Sequence, residues 1–216
     1  MSPMDEEPSP PDHYFSERPR SRSARHELRF LFRGELLTFS VDAGVFAAHG
    51  LDPGTALLIE NLALRRTDRV LDLGCGWGAV GVAAAKSATE GHVVLTEVNR
   101  RAARLARENL ERNGLTNAEV RVGRLFEPVR NERFDAIASN PPYRAGRAFV
   151  LDLLAAAPQH LSPDGRLLLV GKGSQGIRYY QEWLREHWNG EVAVLGRASG
   201  YRVLEARPTS PGGRSA

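Results

Sequence analysis

Two short stretches hold the residue types that do chemistry. The first, Asp72-Leu73-Gly74-Cys75-Gly76-Trp77-Gly78, places glycine at alternate positions behind an apolar run and opens on a carboxylate. Glycine there lets the backbone take positive φ and lets a ligand lie directly against the main chain. The second, Ser139-Asn140-Pro141-Pro142-Tyr143, joins a side-chain amide to two prolines and an aromatic ring. Successive prolines stiffen the backbone and remove N–H donors, leaving carbonyls free to accept. The Asn140 side-chain oxygen and the Pro141 carbonyl can then each accept one hydrogen of a planar –NH2 group. Tyr143 adds a flat face on which a base stacks, worth about 1–3 kcal/mol.

A strand, a glycine turn and a helix in that order make a nucleotide-type cofactor site, with free N–H groups at the helix start for something electron-rich. Dinucleotide folds show G-x-G-x-x-G, the third glycine packing helix on strand to seat a pyrophosphate. Here the spacing is G-x-G-x-G, and Asp72 precedes the first glycine by two residues. A carboxylate at that place repels a pyrophosphate and suits a cationic amino acid, such as the ammonium end of S-adenosylmethionine. Glu97, ending the next apolar run, suits ribose hydroxyls with either cofactor. The pairing of the two stretches points to alkylation of a planar amine. Alignment alone supplies roughly 7–11 kcal/mol of barrier lowering in such reactions. No strong general base is required, because the proton becomes acidic as the nitrogen is alkylated. Cys75 is small enough for the turn, and a nucleophilic role for it is the lesser reading.

The elements that must position these residues follow from periodicity. Glu27 to Arg33 and Leu36 to Val41 alternate apolar and polar residues around Gly34-Glu35, as a β-hairpin does. Asp52 caps a helix expected to start at Pro53 and run to about Leu64. From Arg69 onward strands and helices alternate, which predicts an α/β, Rossmann-like doubly wound fold. Its sheet is mostly parallel, with a C-terminal antiparallel hairpin from Glu191 to Leu195 and Tyr201 to Glu205. In such sheets ligands bind at the carboxyl ends of strands near the switch point, so both stretches should face one pocket. Residues 1–12 and 208–216 read as disordered tails, and 13–207 as one domain. Within it, 13–50 form a basic β extension and 51–207 the cofactor-binding core.

Composition sets the partners. No apolar run approaches the ~20 residues of a membrane span. The acidic, proline-rich start fits no signal peptide, and a lone cysteine excludes an internal disulfide and a cysteine metal cluster. A reducing cytoplasm and no metal are therefore expected; composition leaves the oligomeric state open. The net charge of +3 is mild. Its distribution is informative, because Arg18, Arg20, Arg22, Arg25, Arg29 and Arg33 crowd one segment behind His13-Tyr14-Phe15-Ser16. Arginine makes forked contacts with phosphate and stacks on bases, so RNA is the expected partner. A solvated basic face is the bland alternative.

With these residues in view, the chain resembles the class I S-adenosylmethionine-dependent methyltransferases of the "methyltransferase small domain" group. That group includes the small-subunit ribosomal RNA guanine-N2 methyltransferases. The resemblance spans His13 to about Arg207. It rests on His13 to Pro19, Gly44-Val45-Phe46, Asp52-x-Gly54-Thr55, Asp72 to Gly78, Glu97-Val98-Asn99 and Asn140 to Gly146. It implies that Asp72, Gly74, Cys75, Gly76, Gly78, Glu97 and Val98 bind the cofactor, with Phe46 and Thr55 near the pocket. It implies equally that Asn140, Pro141, Pro142 and Tyr143 hold the target amine, with guanine N2 of 16S ribosomal RNA as the expected target. Arg18, Arg20, Arg22, Arg25, Arg144 and Lys172 would then contact RNA, as free RNA or in the small ribosomal subunit.

Three positions depart from the group's pattern. Glu97 stands for the usual aspartate. Arg124 replaces the acid that often holds the adenine amine, which leaves adenine to backbone groups, Leu125 or Phe126. The larger guanine-N2 enzymes carry two methyltransferase-like domains, and this chain has room for one. A protein glutamine-N5 methyltransferase shares Asn-Pro-Pro-Tyr but carries a helical N-terminal domain in place of a basic hairpin. A non-catalytic RNA-binding relative is a third reading, and a Rossmann dehydrogenase a distant fourth.

Overall fold

The structure, a computed structural model, describes residues 22–47 and 50–208. The expectations for the tail 1–12, for His13 to Ser16, for Arg18 and Arg20, and for residues 209–216 lie outside these residues. Pro208 ends the last strand rather than starting a tail.

Strands β1 (His26–Phe32) and β2 (Glu35–Val41) form an antiparallel hairpin and a sheet of their own, with Phe32 opposite Glu35. The turn is Arg33-Gly34, one residue earlier than the sequence pattern placed it, with φ of 50° and 85°. Two consecutive positive φ values match the twist of a tight hairpin, and glycine supplies the second without strain. Arg33 is held in place by donating to the Leu62 carbonyl and lying over the Phe32 ring.

Helix α1 (Pro53–Glu60) is capped by Asp52, whose carboxylate accepts the Thr55 N–H at 2.9 Å. It stops short of Leu64 because Asn61 takes the Leu57 carbonyl with its side chain and ends the ladder. The core follows as β3 (Arg69–Leu73), α2 (Ala79–Ser87), β4 (His92–Glu97), α3 (Arg100–Arg112), β5 (Ala118–Val122), β6 (Phe134–Ser139), α4 (Arg147–Ala156), β7 (Leu161–Lys172), α5 (Ile177–His187), β8 (Gly190–Ala198) and β9 (Tyr201–Pro208). The large sheet has the order β5-β4-β3-β6-β7-β9-β8, parallel except where β9 pairs with β7 and β8. Alternate strand residues feed opposite faces. Val70, Leu95 and Ala138 pack under α1, α2, α3 and the small hairpin, whereas Leu71, Val94 and Ile137 pack under α4 and α5. This is the doubly wound fold with its terminal antiparallel hairpin that the periodicity called for. Among the described residues no helix is long and apolar enough to cross a membrane.

Two devices position the site. Asn109 of α3 and Asn113, the residue capping its end, stand one turn apart and take both backbone groups of Ser40 and Thr38, at 2.7 to 3.2 Å. Helix residues i and i+4 lie about 6 Å apart and strand residues i and i+2 about 6.7 Å apart, so the two amides span the edge of β2. The loop after β2 is thereby fixed over the carboxyl ends of the large sheet. There β3, flanked by β4 and β6, is the point where the strand order reverses. Buried Ser139 Oγ donates to the Leu73 carbonyl at 2.8 Å and ties the ends of β3 and β6 together. Gly74 and Asn140 therefore emerge side by side.

Candidate active site

The glycine turn wraps around two buried carboxylates. Asp72 Oδ2 accepts the Gly81 N–H at 2.8 Å, in the first turn of α2. Glu97 reaches across from β4, accepting from the backbone N–H groups of Gly76 and Asn99, both at 2.8 Å. The N–H groups of Gly74 and Cys75 donate to the Thr96 carbonyl at 2.9 and 3.0 Å. The N–H groups expected to be free at the helix start are in part spent, since that of Gly81 is taken by Asp72. The turn amides are likewise taken by the protein's own Glu97 carboxylate and a carbonyl, so an incoming phosphate meets negative charge. Gly78 shows why glycine is needed: its φ is 93°, and a Cβ there would sit 3.2 Å from the Ala106 methyl.

Burial dominates the electrostatics. The Asp72 carboxyl is pushed up to about 7 by desolvation, opposed by the Gly81 N–H and reinforced by the nearby Glu97 charge. Glu97 is also raised, chiefly by burial. Burial drives the Cys75 thiol well above its ordinary range, so it stays protonated and is no nucleophile. Both carboxylates line a cavity of about 290 Å³. Thr96 lines it as well, and its buried hydroxyl has no hydrogen-bond partner in the protein. The lining also includes the apolar Val98, Leu125, Phe149 and Leu153. A ligand with a cationic amino-acid end, hydroxyls and an apolar ring finds a matching surface for each, as S-adenosylmethionine does.

Phe46, Thr55 and Asn140 also line this cavity. Asn140 Nδ2 donates to Asp52 Oδ2 at 3.0 Å and to Thr55 Oγ1 at 2.9 Å. Asp52 Oδ1 accepts from the Tyr201 hydroxyl at 3.2 Å. A carboxylate has only acceptors, so the amide cannot be turned round. Among the described residues nothing donates to Asn140 Oδ1, and Asn140 also lines a second, open cleft of about 1170 Å³. The amide oxygen is thus the open acceptor at the junction of two cavities.

The two proline carbonyls are not free, which corrects a second expectation. Pro141 O accepts the Tyr143 N–H at 2.8 Å and Pro142 O the Ala145 N–H at 2.7 Å. The tight turn uses one lone pair of each, and a carbonyl has a second. The Tyr143 hydroxyl donates to Val170 O at 2.6 Å, and burial raises its pKa well above the ordinary phenol value. Its ring borders the second cleft, 5.9 Å from that of Tyr180.

A family model described as the methyltransferase small domain matches residues 36–205. The chain belongs to that family. An uncharacterized Bacillus subtilis protein, YbxB, is 34% identical over 198 residues, covering 91% of this chain and 98% of its own length. Ribosomal RNA small subunit methyltransferase C of Haemophilus influenzae is 34% identical over 169 residues, covering 76% of this chain and 49% of that protein. Among solved structures, the T. thermophilus 16S rRNA N2 G1207 methyltransferase, in complex with AdoMet and guanosine, superposes with a TM-score of 0.76 at 29% identity. That match covers 88% of this chain and 52% of the other. The chain spans about half the length of these ribosomal RNA methyltransferases and nearly all of the Bacillus protein.

Within this methyltransferase small domain, Arg124 lines the first cavity, its guanidinium 5.6 Å over the Phe149 ring. Cation–π contact and Leu125, with its φ of 47°, shape the surface where a carboxylate was expected to be missed. Among the described residues of the basic N-terminal segment, Arg25 forks on Glu108 of α3, Arg29 pairs with Glu27 and Arg33 donates to the Leu62 carbonyl, and none of Arg22, Arg25, Arg29 and Arg33 lines either cavity. Arg144 does line the second cleft, and exposed Lys172 lies over Tyr201 at its edge. Sequence reasoning missed Arg147, Tyr179 and Tyr201, which also line that cleft, and it read Asp52 as a helix cap alone. The cap was legible; that the same carboxylate grips Asn140 from 88 residues away was not.

Proposed function

We propose that this methyltransferase small domain methylates the exocyclic N2 of a guanine in 16S ribosomal RNA. The observation that carries the reading is the fixed amide of Asn140, its nitrogen spent on Asp52 and Thr55 and its oxygen left at the seam between the two cavities. When bound, S-adenosylmethionine supplies an electrophilic methyl group on a sulfonium. Asp72 would hold the ammonium end of that cofactor, Glu97 the ribose, and Val98 and Leu125 the adenine face. On the other side, Asn140 Oδ1 and the second lone pair of Pro141 O accept the two amine hydrogens. Held so, the amine turns its lone pair toward the first cavity. The leftover proton becomes acidic as the nitrogen is alkylated and passes to water. Tyr143, anchored through Val170, presents its ring to the base from the cleft side.

Relatives that match this chain over four-fifths of its length are named for ribosomal RNA methylation, which supports the substrate class. The β1–β2 hairpin occupies the place where a glutamine-N5 methyltransferase would carry a helical domain. The domain is proposed to run over 13–207, beyond the 36–205 that the family model matches. The test is transfer of labelled methyl from cofactor to total RNA and to total protein, followed by nucleoside analysis. N2-methylguanosine in RNA supports the proposal; label in protein alone refutes it.

A further inference from the structure

The second cleft holds a charge arrangement that methyl transfer to a lone base does not need. Arg147 opens α4 and lies with its guanidinium 4.6 Å over the ring of Tyr179 on α5. Tyr179 is 43% exposed and meets Tyr180 edge-on at 5.5 Å. Tyr180 in turn packs 5.9 Å from Tyr143. An aromatic ladder therefore runs outward from the Asn140 motif and ends under a cation.

Arg147 differs from the ion-paired arginines of this chain. Arg25, Arg65, Arg66, Arg104, Arg112, Arg121, Arg166 and Arg207 are all matched to carboxylates. Among the described residues no carboxylate pairs with Arg147 or with its cleft neighbour Arg144. Asp52, the one acid among the described residues lining the cleft, is already occupied by Asn140, Thr55 and Tyr201. A guanidinium stacked on a ring is held flat, and its forked N–H edge stays open to a phosphate with little further entropy to lose.

Resting on the proposed RNA reading, we infer that Arg147, on its Tyr179 platform, is a phosphate subsite for the backbone next to the methylated nucleotide. The substrate class this selects is an unpaired RNA segment with at least one flanking phosphodiester; a free nucleoside leaves the subsite empty. Arg147 and Tyr179 are thus positioning residues, setting how the target nucleotide sits against Asn140.

The test uses the full chain with S-adenosylmethionine and a short synthetic RNA methylated by the wild type. Arg147→Ala should raise KM for that RNA roughly tenfold or more, with a smaller change in kcat. It should also flatten the salt dependence of RNA binding by about 0.7 in the log–log slope, the share of one single-strand phosphate. Tyr179→Ala should reproduce most of the KM rise, whereas Tyr179→Phe should keep near wild-type behaviour. Arg185→Ala, on the same helix but paired with Glu182, should leave the slope unchanged. Replacing single phosphates by neutral methylphosphonates locates the contact. One neutral linkage beside the target should cost the wild type as much as Arg147→Ala does, and cost that variant nothing more.

An unchanged salt slope in Arg147→Ala overturns the inference, as do fully additive losses with every methylphosphonate. In both cases the wild type still methylates RNA, so the broader reading stands. Methyl transfer by the wild type to protein and to no RNA overturns both together.

Discussion

Asp72 offers the sharpest test of the cofactor site, because its burial couples ligand binding to pH. Its carboxyl is pushed to about 7 in the protein alone, mostly by desolvation and partly by Glu97. The proposed role requires the ionised form facing an ammonium. About a tenth of the sites are ionised at pH 6 and about nine-tenths at pH 8, so cofactor affinity should be roughly tenfold weaker at pH 6. Binding at pH 6.5 should release about three-quarters of a proton, which calorimetry in buffers of different ionisation enthalpy counts directly. Asp72→Asn keeps an acceptor for the Gly81 N–H but removes the charge. It should weaken binding by about 10- to 150-fold, the cost of roughly 1.5–3 kcal/mol for a lost charged hydrogen bond, and abolish the pH dependence. Glu97→Gln should leave the dependence in place. The ligand-free protein must run the other way. A carboxyl whose folded pKa lies above its ordinary 3.8 contributes stability below about pH 4, and that contribution is lost as pH rises through 7. Saturating cofactor should cancel this loss. If Asp72→Asn kept the tenfold change in affinity between pH 6 and 8, the assignment of the ammonium to Asp72 would be wrong.

Other perturbations separate chemistry from support. Asn140→Asp should lower turnover about 100-fold or more while cofactor affinity, read by calorimetry, changes by less than roughly threefold, because misplacing the amine harms alignment and not donor binding. Gly171→Ala would bring a Cβ within 2.3 Å of the Tyr143 hydroxyl. It should cost about 1–3 kcal/mol by overpacking, seen as a lower melting temperature, with lower activity as Tyr143 is displaced. Asn109→Ala strips partners from both backbone groups of Ser40 and from the Trp77 carbonyl. A loss of about 1–3 kcal/mol is expected, with melting lowered by about 2–4 °C per kcal/mol, and denaturant titration measures it.

The strand–helix alternation was legible because each face of the large sheet is apolar at period two and each helix at three to four residues. The hairpin was legible for the same reason, although its turn lay one residue early, since Arg33 accepts a positive φ that its residue type disfavours. Asp72, Glu97 and Asn140 could be picked out as local motifs. What the sequence could not show is how they are spent. Glu97 closes on the Gly76 and Asn99 amides, and Pro141 O on Tyr143, because short-range geometry claims an acceptor before any ligand does. Long-range partners were equally hidden. Asp52 and Tyr201 meet across 149 residues, and Arg25 finds Glu108 across 83, pairings that no spacing rule announces. Arg147 carried no signal in the sequence, and only the fold stacks it on Tyr179.

The two cavities are opposite in charge, and this bears on why the residue at their seam is an amide. The first is acidic, with Asp72 and Glu97 buried in it; the second presents Arg144 and Arg147, with Lys172 at its edge. A cationic donor and an anionic acceptor are each drawn to one side and repelled from the other. An aspartate at position 140 would share Asp52 as a near neighbour, so one of the two carboxyls would hold a proton and point a donor at an amine that already carries donors. A lysine or arginine would repel the positive charge that develops on the alkylated nitrogen. A side-chain amide combines neutrality, a donor end that Asp52 and Thr55 can pin, and an acceptor end left over. Asn140→Gln keeps that chemistry but lengthens the reach by one methylene. Its activity should fall almost as far as that of Asn140→Asp, and an active glutamine variant would show that the pinning by Asp52 and Thr55 does not set the amide's position.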